Sequence, residues 1–338
     1  MKHSLKYNSV AVFCGGQVGT NDESNFRFMG GCQSTQLTFT SSIVKEKELG
    51  SKKTFYRSEY LKESVAIPLT WYPSDFENEE RAGLNLISYS GKSIAHKLFE
   101  GFRTNLMVLV DDESQQDLLQ RSVSGVKAVF LPNADLVSYG FTAAVGSVME
   151  ANGTFECDDA WITTLSGFTG SYNGVSNGFR TKKPFSIAET GFISNNFEQV
   201  FIPSGMSVEI KDRHDGNTYD LSIQSFSVDI ELVRNNIRGL GSKYDAARVL
   251  KAPVFGSLQI ESLSPAFSGR NYNNVPLQEQ GFDVKLSLKG TPIKNLEAMD
   301  FEFEFRNVIL NTDSTSFGIG ANATNTLSFD IEDDGSDY

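Results

Sequence analysis

Histidines and cysteines, the residues most often used in catalysis and metal binding, are scarce in this chain. Of its 338 residues, only three are His and three are Cys. His3, His96 and His214 lie far apart in the sequence, and no Cys or Ser motif stands beside His96. The cysteines are too few and too scattered for a disulfide framework or a Cys-rich metal site; they are Cys14, Cys32 and Cys157.

His214 stands among residues that could ligate a hard cation. Carboxylate and amide oxygens suit such ions, and the candidates are Asp212, Asp215, Asn217 and Asp220. Their spacing differs from that of a calcium loop. The run His-Asp-Gly-Asn between two apolar segments is instead typical of a hairpin turn, because Asp-Gly tolerates positive φ. We therefore predict a turn here and no metal site.

No motif in the sequence predicts an enzyme. The phosphate-binding pattern G-x-x-x-x-G-K-[ST] and the zinc-protease pattern H-E-x-x-H are both absent. One G-x-S-x-G occurs at residues 174–178, but its flanks are Gly, Ser and Asn. A nucleophile elbow needs a buried strand before the Ser and a helix after it. We predict a loop at this position, and we expect neither catalytic residues nor a cofactor.

The charge and hydropathy of the chain bear on its partners. Asp and Glu number 42 against 30 Lys and Arg, which gives a net charge of −12. No segment holds the cluster of Lys and Arg that nucleic-acid binding requires. No apolar run approaches the roughly 18 residues of a membrane helix, and the first residues lack the apolar core of a secretory signal. We expect a protein made in the cytoplasm that neither enters a membrane nor grips DNA.

Hydrophobic periodicity predicts mainly β structure. Residues 301–305 alternate with period two, which places three Phe on one face and Glu302 and Glu304 on the other. The same alternation runs through residues 282–288 and 206–210. Helical patterns are few. The two candidates are residues 94–102 and 114–123.

Part of the sequence occurs twice. Leu-Gly-Ser-Lys at residues 49–52 recurs at residues 240–243, an offset of 191 (240 − 49), and Arg57 maps onto Arg248 at the same offset. After a deletion of two residues, the pattern Leu-Lys-x-x-Val-x-x-x-Leu that begins at Leu61 recurs from Leu250. An Arg in register and a downstream apolar pattern argue against chance.

A second block supports the repeat. Val145-Gly146 precedes Phe155 as Ile319-Gly320 precedes Phe329, at an offset of 174 (329 − 155). The order of the blocks is kept, so we predict two homologous domains, residues 8–160 and 199–338. The stretch between them, residues 161–198, is rich in Gly, Ser and Asn and is interpreted as a linker or arm.

The repeated pattern resembles the tail tube proteins of long-tailed bacteriophages. The shared features are a strand, Leu-Gly (Leu49-Gly50 and Leu240-Gly241), an Arg seven residues after the Gly, a further strand, and a Phe-containing last strand after an apolar-Gly turn. The resemblance covers most of the chain, taken twice. It implies two tandem β-sandwich or split-barrel domains, each with a short flanking α-helix. It also implies rings of six tube domains, and hence three subunits per ring.

The resemblance further implies a function and partners. The chain would be a virion structural protein that polymerises as stacked rings into a tail tube, and it would not be an enzyme. Its partners would be further copies of itself and other tail proteins (tape measure, terminator, baseplate or tip), and DNA would pass without sticking. It would be located in the virion tail.

Several residues are candidates for structural roles in such an assembly. Arg57 and Arg248 are candidates for a buried or inter-subunit salt bridge, because a guanidinium pairs well with carboxylates. Gly50 and Gly241, each after a Leu, are candidates for a turn with positive φ. Glu302 and Glu304 are candidates for the lumen, since an acidic lumen would repel phosphates; a solvated outer face is the alternative for them.

A function of another class stays open at this point. The chain could be a tandem β-sandwich carbohydrate-binding or adhesion protein. In that case Trp71, Tyr72 and the other tyrosines would form platforms on which sugars stack.

Overall fold

The computed structural model describes most strands of the chain and one helix. The described residues are 9–15, 25–40, 44–47, 54–57, 64–73, 76–84, 103–111, 127–157, 160–164, 172–176, 179–183, 186–187, 199–214, 216–238, 245–263, 281–292, 300–316 and 323–333. They are almost entirely β, which confirms the predicted fold class. No helix among them is long and apolar enough to cross a membrane.

The strands divide between the two halves of the chain. In the first half they are β1 (Ser9–Gly15), β2 (Asn25–Phe28), β3 (Cys32–Thr35), β4 (Thr38–Thr40), β5 (Val44–Lys47), β6 (Thr54–Arg57), β7 (Ser64–Trp71), β8 (Thr104–Asp111), β9 (Lys127–Ala144) and β10 (Glu150–Cys157). Between the halves lie β11 (Trp161–Thr164), β12 (Tyr172–Ser176), β13 (Phe179–Lys183) and β14 (Ser186–Ile187). In the second half they are β15 (Gln199–Asp212), β16 (Thr218–Leu221), β17 (Ile223–Glu231), β18 (Arg234–Arg238), β19 (Asp245–Leu250), β20 (Val254–Ser262), β21 (Gly281–Pro292), β22 (Asp300–Ser316) and β23 (Thr324–Asp333).

Alternation of apolar and polar residues accounts for the strands that the sequence predicted. In β22, Phe303 and Phe305 are buried while Glu302 is exposed. Val208 and Ile210 of β15 are likewise buried, and every second residue of β21 from Phe282 to Leu288 faces the core. The predicted strands are confirmed, because one face of each is covered by apolar neighbours.

Antiparallel pairing in the first half centres on the long strand β9. Its N-terminal part pairs with β8 and β11, and its C-terminal part with β10. The ladder continues from β8 to β1 and β2. It continues from β10 to β7, which pairs with β3 and β4. β9 therefore belongs to two sheets at once.

The same pattern of pairing recurs in the second half around β22. Its N-terminal part pairs with β21 and its C-terminal part with β23. The ladder continues from β21 to β15 and β16, and from β23 to β20 and β17. The hairpins β5–β6 and β18–β19 also occupy corresponding places in the chain. The repetition agrees with the sequence repeat, whereas the division into two domains stays a prediction.

The ladders also refine the alignment of the two halves. Leu69 lies opposite Gly153, and Leu258 lies opposite Phe329. Because Leu69 matches Leu258 in the sequence repeat, Gly153 corresponds to Phe329. Phe155 therefore corresponds to Ile331, two residues beyond the predicted partner Phe329. A shift of two residues keeps the same face of the strand, so both alignments place an apolar side chain in the core.

Each long strand bends at an asparagine with positive φ. Asn133 has φ 52° and Asn307 has φ 53°, and the ladder to the neighbouring strand is irregular at both. The N–H of Asn133 donates to Oδ1 of Asn105, and the N–H of Asn307 donates to Oδ1 of Asp283, both at 3.0 Å. Asn tolerates the left-handed region better than most residues. The two bulges turn β9 and β22 from one sheet into the other.

The two halves join where β9 pairs with β17. Ser138 to Ala144 form a continuous antiparallel ladder with residues 225–231. Two glycines permit close approach of the backbones around β17. A Cβ on Gly140 would lie 2.6 Å from the carbonyl oxygen of Val228, and one on Gly256 would lie 2.4 Å from that of Asp229. Any larger residue would force the strands apart.

One hydrophobic core extends across both halves. Phe141 of β9 packs against Phe226 of β17 and Phe303 of β22, with ring centroids 5.8 and 5.0 Å apart. Phe76 packs against Phe301 and Phe303 at 4.5 and 5.4 Å. Phe76 directly precedes α1 (Glu77–Arg81), which is the only helix in the described part of the chain. The two predicted helices, 94–102 and 114–123, lie outside the described residues.

Two other expectations have different outcomes. The predicted turn after β15 is confirmed: Gly216 has φ 72°, and the N–H of His214 donates to Oδ1 of Asp212 at 2.8 Å. The loop predicted at residues 174–178 is wrong, because β12 and β13 form a hairpin there. The stretch 161–198 also contains β11, which pairs with β9, and β14, which pairs in parallel with β2, and its interpretation as a linker or arm stays a prediction. The Asn-Gly pair at residues 177–178 is a strong hairpin signal, but the Gly, Ser and Asn residues around it favoured the prediction of a loop.

Candidate functional site, an acidic sheet face

One continuous sheet crosses the junction between the halves, and we call it the shared sheet. Its order is β3 with β4, β7, β10, the C-terminal part of β9 (residues 135–144), β17, β20, β23, and the C-terminal part of β22 (residues 309–316). Its inner face is apolar and buried, as shown by Trp71, Phe141, Phe226 and Phe329. Its outer face carries the alternate residues.

The outer face is lined by small polar residues in register across the strands. One row runs Glu150, Thr142, Ser227, Gln259 and Ser328, each directly opposite the next. Directly opposite residues in a sheet point to the same side, so the row forms one surface. Neighbouring rows are also mainly polar, with the exposed Phe255 between Glu231 and Glu332.

The charges that the strands of the shared sheet place on this face have one sign. None of the strand segments that form the shared sheet contains Lys or Arg. The carboxylates that line the outer face are Glu150, Glu156, Asp229, Glu231, Glu261, Asp330 and Glu332, and the buried Asp135 lies opposite Glu156 on the same side. Away from the end where Arg234 and Arg248 lie beside Glu156 and Glu231, this face carries only carboxylates and holds a negative potential. It can therefore repel polyanions at close range.

The opposite layer of the second half differs in charge. Nζ of Lys285 lies 2.9 Å from Oε1 of Glu302, and Nη2 of Arg306 lies 2.9 Å from Oε2 of Glu304. The hydrogen bond to Glu302 raises the pKa of Lys285 above its usual value. Glu302 and Glu304, the sequence candidates for an acidic surface, thus lie on β22 outside the shared sheet. Each is neutralised by a neighbouring cation.

A cluster of buried charges closes one end of the shared sheet. The side chain of Asp135 is only 1% exposed. Its carboxylate lies 3.2 Å from Nε of Arg103, 3.6 Å from Nη1 of Arg234 and 3.7 Å from Nε of Arg248. Burial raises the pKa of Asp135, and the three arginines act in the opposite direction. We call these four residues the Asp135 cluster.

The Asp135 cluster joins the two halves. Arg234 and Arg248 belong to the hairpin β18–β19 of the second half, whereas Asp135 lies on β9 of the first. Arg248 also donates from Nη1 to the carbonyl oxygen of Glu156 at 3.2 Å. Arg234 donates from Nε to the carbonyl oxygen of Leu136, also at 3.2 Å. The hairpin is thereby fixed across the end of the shared sheet.

The other repeat-derived candidates are less well defined. Arg57 lies at the end of β6, with its backbone opposite Val44, and its side chain lies outside the described part. Leu49, Gly50, Leu240 and Gly241 also lie outside the described residues. Of the candidate arginines, the structure therefore gives contacts for Arg248 alone.

The residues considered for catalysis and ligand binding do not converge. No group of three or more His, Cys, Asp or Glu in the described ranges could hold a metal ion. Ser176 ends a strand that is followed by another strand, which differs from a nucleophile elbow. Burial raises the pKa of Cys32 to about 11, so its thiol is protonated and poorly nucleophilic at neutral pH.

The sugar-stacking role considered for Trp71 does not fit its position. Its side chain is fully buried, and its Nε1 donates to Oε1 of Glu79 at 2.8 Å. The ring of Tyr139 lies 6.2 Å from it on the same inner face. A sugar platform needs an exposed aromatic face, which Trp71 does not offer.

Sequence reasoning missed Asp135, Arg103 and Arg234. The available signal was a carboxylate inside an apolar strand pattern, since a buried position with a charged residue needs a partner. No protein-family model matches this chain, and no curated protein is a significant relative of it. The function is therefore argued from the geometry of the shared sheet.

Proposed function

We propose that this protein is a virion structural protein that polymerises as stacked rings into a bacteriophage tail tube. Three subunits form each ring, with pseudo-sixfold symmetry because each chain contributes two similar halves. The outer face of the shared sheet lines the channel through which DNA is ejected. The protein acts without catalysis or cofactors.

The observation that carries this proposal is the absence of cations from the shared sheet. Proteins that bind DNA do so largely through Lys and Arg, whose contacts with phosphates release counterions. The Ser, Thr, Gln and carboxylate side chains of these strands form no such contacts. DNA can then slide past the wall at a distance set by electrostatic repulsion, which acts over about 8–10 Å at physiological ionic strength.

The repeated pairing pattern supports the pseudo-symmetric ring. The two similar halves already join side by side, because β9 of the first half pairs with β17 of the second. The two halves thus contribute different edges to this junction. A heterologous contact of this kind closes into a ring when its rotation fits. The free ends of the assembled tube would contact other tail proteins, such as the terminator and the tip or baseplate.

Electron microscopy tests the proposal. Negative-stain images of the purified, concentrated chain should show hollow rings or tubes. Class averages viewed down the axis should have threefold symmetry with two lobes per subunit. Solid particles without a channel, or rings whose lobes do not come in pairs, would contradict the proposal.

A further inference from the structure

Two edges of the shared sheet have no partner strand within the described chain. At one end, β3 and β4 pair with β7 alone. At the other end, residues 311–316 of β22 pair with β23 alone among the described strands. Counting seven steps of about 4.8 Å between neighbouring strands, the two edges are roughly 34 Å apart along the sheet.

The chain contains a template for joining these two edges. In the repeat, β7 and β20 are equivalent strands. β3 and β4 pair with β7, and β17 pairs with β20, so β3 and β4 correspond to β17. The C-terminal part of β22 pairs with β23, and that of β9 pairs with the equivalent strand β10, so these two parts correspond to each other. Inside the chain, β9 and β17 are paired. The equivalents of these two strands are the two outer edges.

The strand registers fix which residues correspond. Ser34 lies opposite Thr70, and Ser227 lies opposite Gln259, the equivalent of Thr70. Ser314 lies opposite Thr326, and Thr142 lies opposite Glu150, the equivalent of Thr326. Within the chain, Thr142 is directly opposite Ser227. Ser314 is therefore the counterpart of Thr142, and Ser34 that of Ser227.

We propose that the edge of β22 in one copy pairs antiparallel with the edge of β3 and β4 in a second copy, with Ser314 opposite Ser34. In the same register, Thr312 lies opposite Gln36. This inference rests on the proposed ring assembly and names the surfaces through which its subunits join. The outer faces of successive copies then form one unbroken acidic surface.

The composition of the edges fits a pairing role. Residues 32–40 contain neither a charged residue nor Pro, and residues 311–316 contain Asp313 as their one charged residue. Edge strands that stay exposed usually carry Lys, Pro or other devices against pairing. Ser, Thr and Gln at these edges leave the backbone groups accessible to a second strand. A single negative charge on one edge meets no carboxylate on the other.

Disulfide trapping tests the register. In a chain with Cys32→Ser, the double substitution Ser34→Cys with Ser314→Cys places two thiols at Cβ distances compatible with a disulfide. Mild oxidation of the concentrated protein should convert most of it into species of two or more chain lengths on a non-reducing gel. Thr38→Cys with Ser316→Cys uses the same two edges six residues (38 − 32) out of register and should stay uncross-linked.

A positive control uses the junction inside the chain. Thr142→Cys with Ser227→Cys should form a disulfide within one chain, without any larger species. If Ser34→Cys with Ser314→Cys gives only monomers, or if the out-of-register pair cross-links equally well, the proposed pairing is wrong. The same holds for a chain that stays monomeric at its highest soluble concentration.

The two proposals fail in different ways. Hollow rings by electron microscopy without cross-linking of Ser34→Cys with Ser314→Cys would overturn the edge pairing and leave the ring assembly standing. Register-specific cross-linking in open chains, without closed rings or tubes, would support the edge pairing and contradict the tube function.

Discussion

The Asp135 cluster shows how one buried residue ties distant parts of the chain together. Asp135 pairs with Arg103, 32 residues away, and with Arg234 and Arg248 on the hairpin of the second half. A buried ion pair gives little net stability over apolar packing, but removing one partner leaves the others uncompensated. The cluster therefore specifies the position of the hairpin more than it adds stability.

At the residue scale, we expect Asp135→Asn to lower the free energy of unfolding by about 3 kcal/mol, because three partly buried arginines lose their carboxylate. Urea denaturation of the unassembled chain measures the change. The matched control is Asp330→Asn on an exposed part of β23, which should change the stability by no more than about 0.5 kcal/mol. Equal denaturation midpoints for the two variants would show that the Asp135 cluster does not stabilise the folded chain.

The strands are easier to predict from the sequence than the Asp135 cluster. Alternation along β21 and β22 follows from the pleat and is visible in any short window. The partners of Asp135 depend on pairings between residues up to 113 positions apart (248 − 135), which no local pattern encodes. Arg248 was found only because it recurs in the repeat, and its partner lay in a segment without a recognised motif.

At the scale of elements, the bends of β9 and β22 make a two-layered fold from continuous strands. Each bend uses an Asn with positive φ whose N–H is bound by a side chain of the neighbouring strand. The sequence repeat did not include these residues, since the match around them is only Asn followed three residues later by Leu. Their common geometry is stronger evidence for related halves than the short sequence match.

We expect Asn307→Ala to destabilise the protein by about 1–2 kcal/mol, because a non-Gly residue without a short polar side chain is strained in the left-handed region. Asn307→Gly should cost clearly less, since Gly adopts positive φ freely. Thermal and urea unfolding of both variants provide the comparison, and the same order should hold at Asn133. A Gly variant no more stable than the Ala variant would rule out backbone strain as the cause.

At the scale of the whole molecule, charge is distributed by layer. The charged side chains on the strands of the shared sheet are all carboxylates, whereas the layer that contains β15 and β21 mixes Glu209 with Lys285 and Glu302. The net charge of −12 does not predict this difference in charge between the two layers. The difference depends on which strands join across the junction, and no local sequence pattern predicted that β17 would pair with β9.

We expect tubes of the variant Asp229→Lys with Glu261→Lys to retain short duplex DNA that resists nuclease, because cations on the channel wall bind phosphates. Retention should fall steeply as salt is raised. Sedimentation of tubes with labelled DNA, before and after nuclease treatment, measures it. The control, Glu209→Lys with Glu302→Lys, makes the same change of charge on the other layer. If its DNA resists nuclease equally, the shared sheet does not line the channel.

The lack of Lys and Arg on the strands of the shared sheet also determines which reagents react with it. Trypsin cleaves after Lys and Arg, and neither occurs in residues 128–179 or 307–338, so β10 and β23 each fall within one long peptide. Amine-reactive cross-linkers and acetylating agents find no target on the outer face. Carbodiimide coupling of its carboxylates to an added amine does, and this makes the face addressable by a chemistry directed at carboxylates rather than at amines.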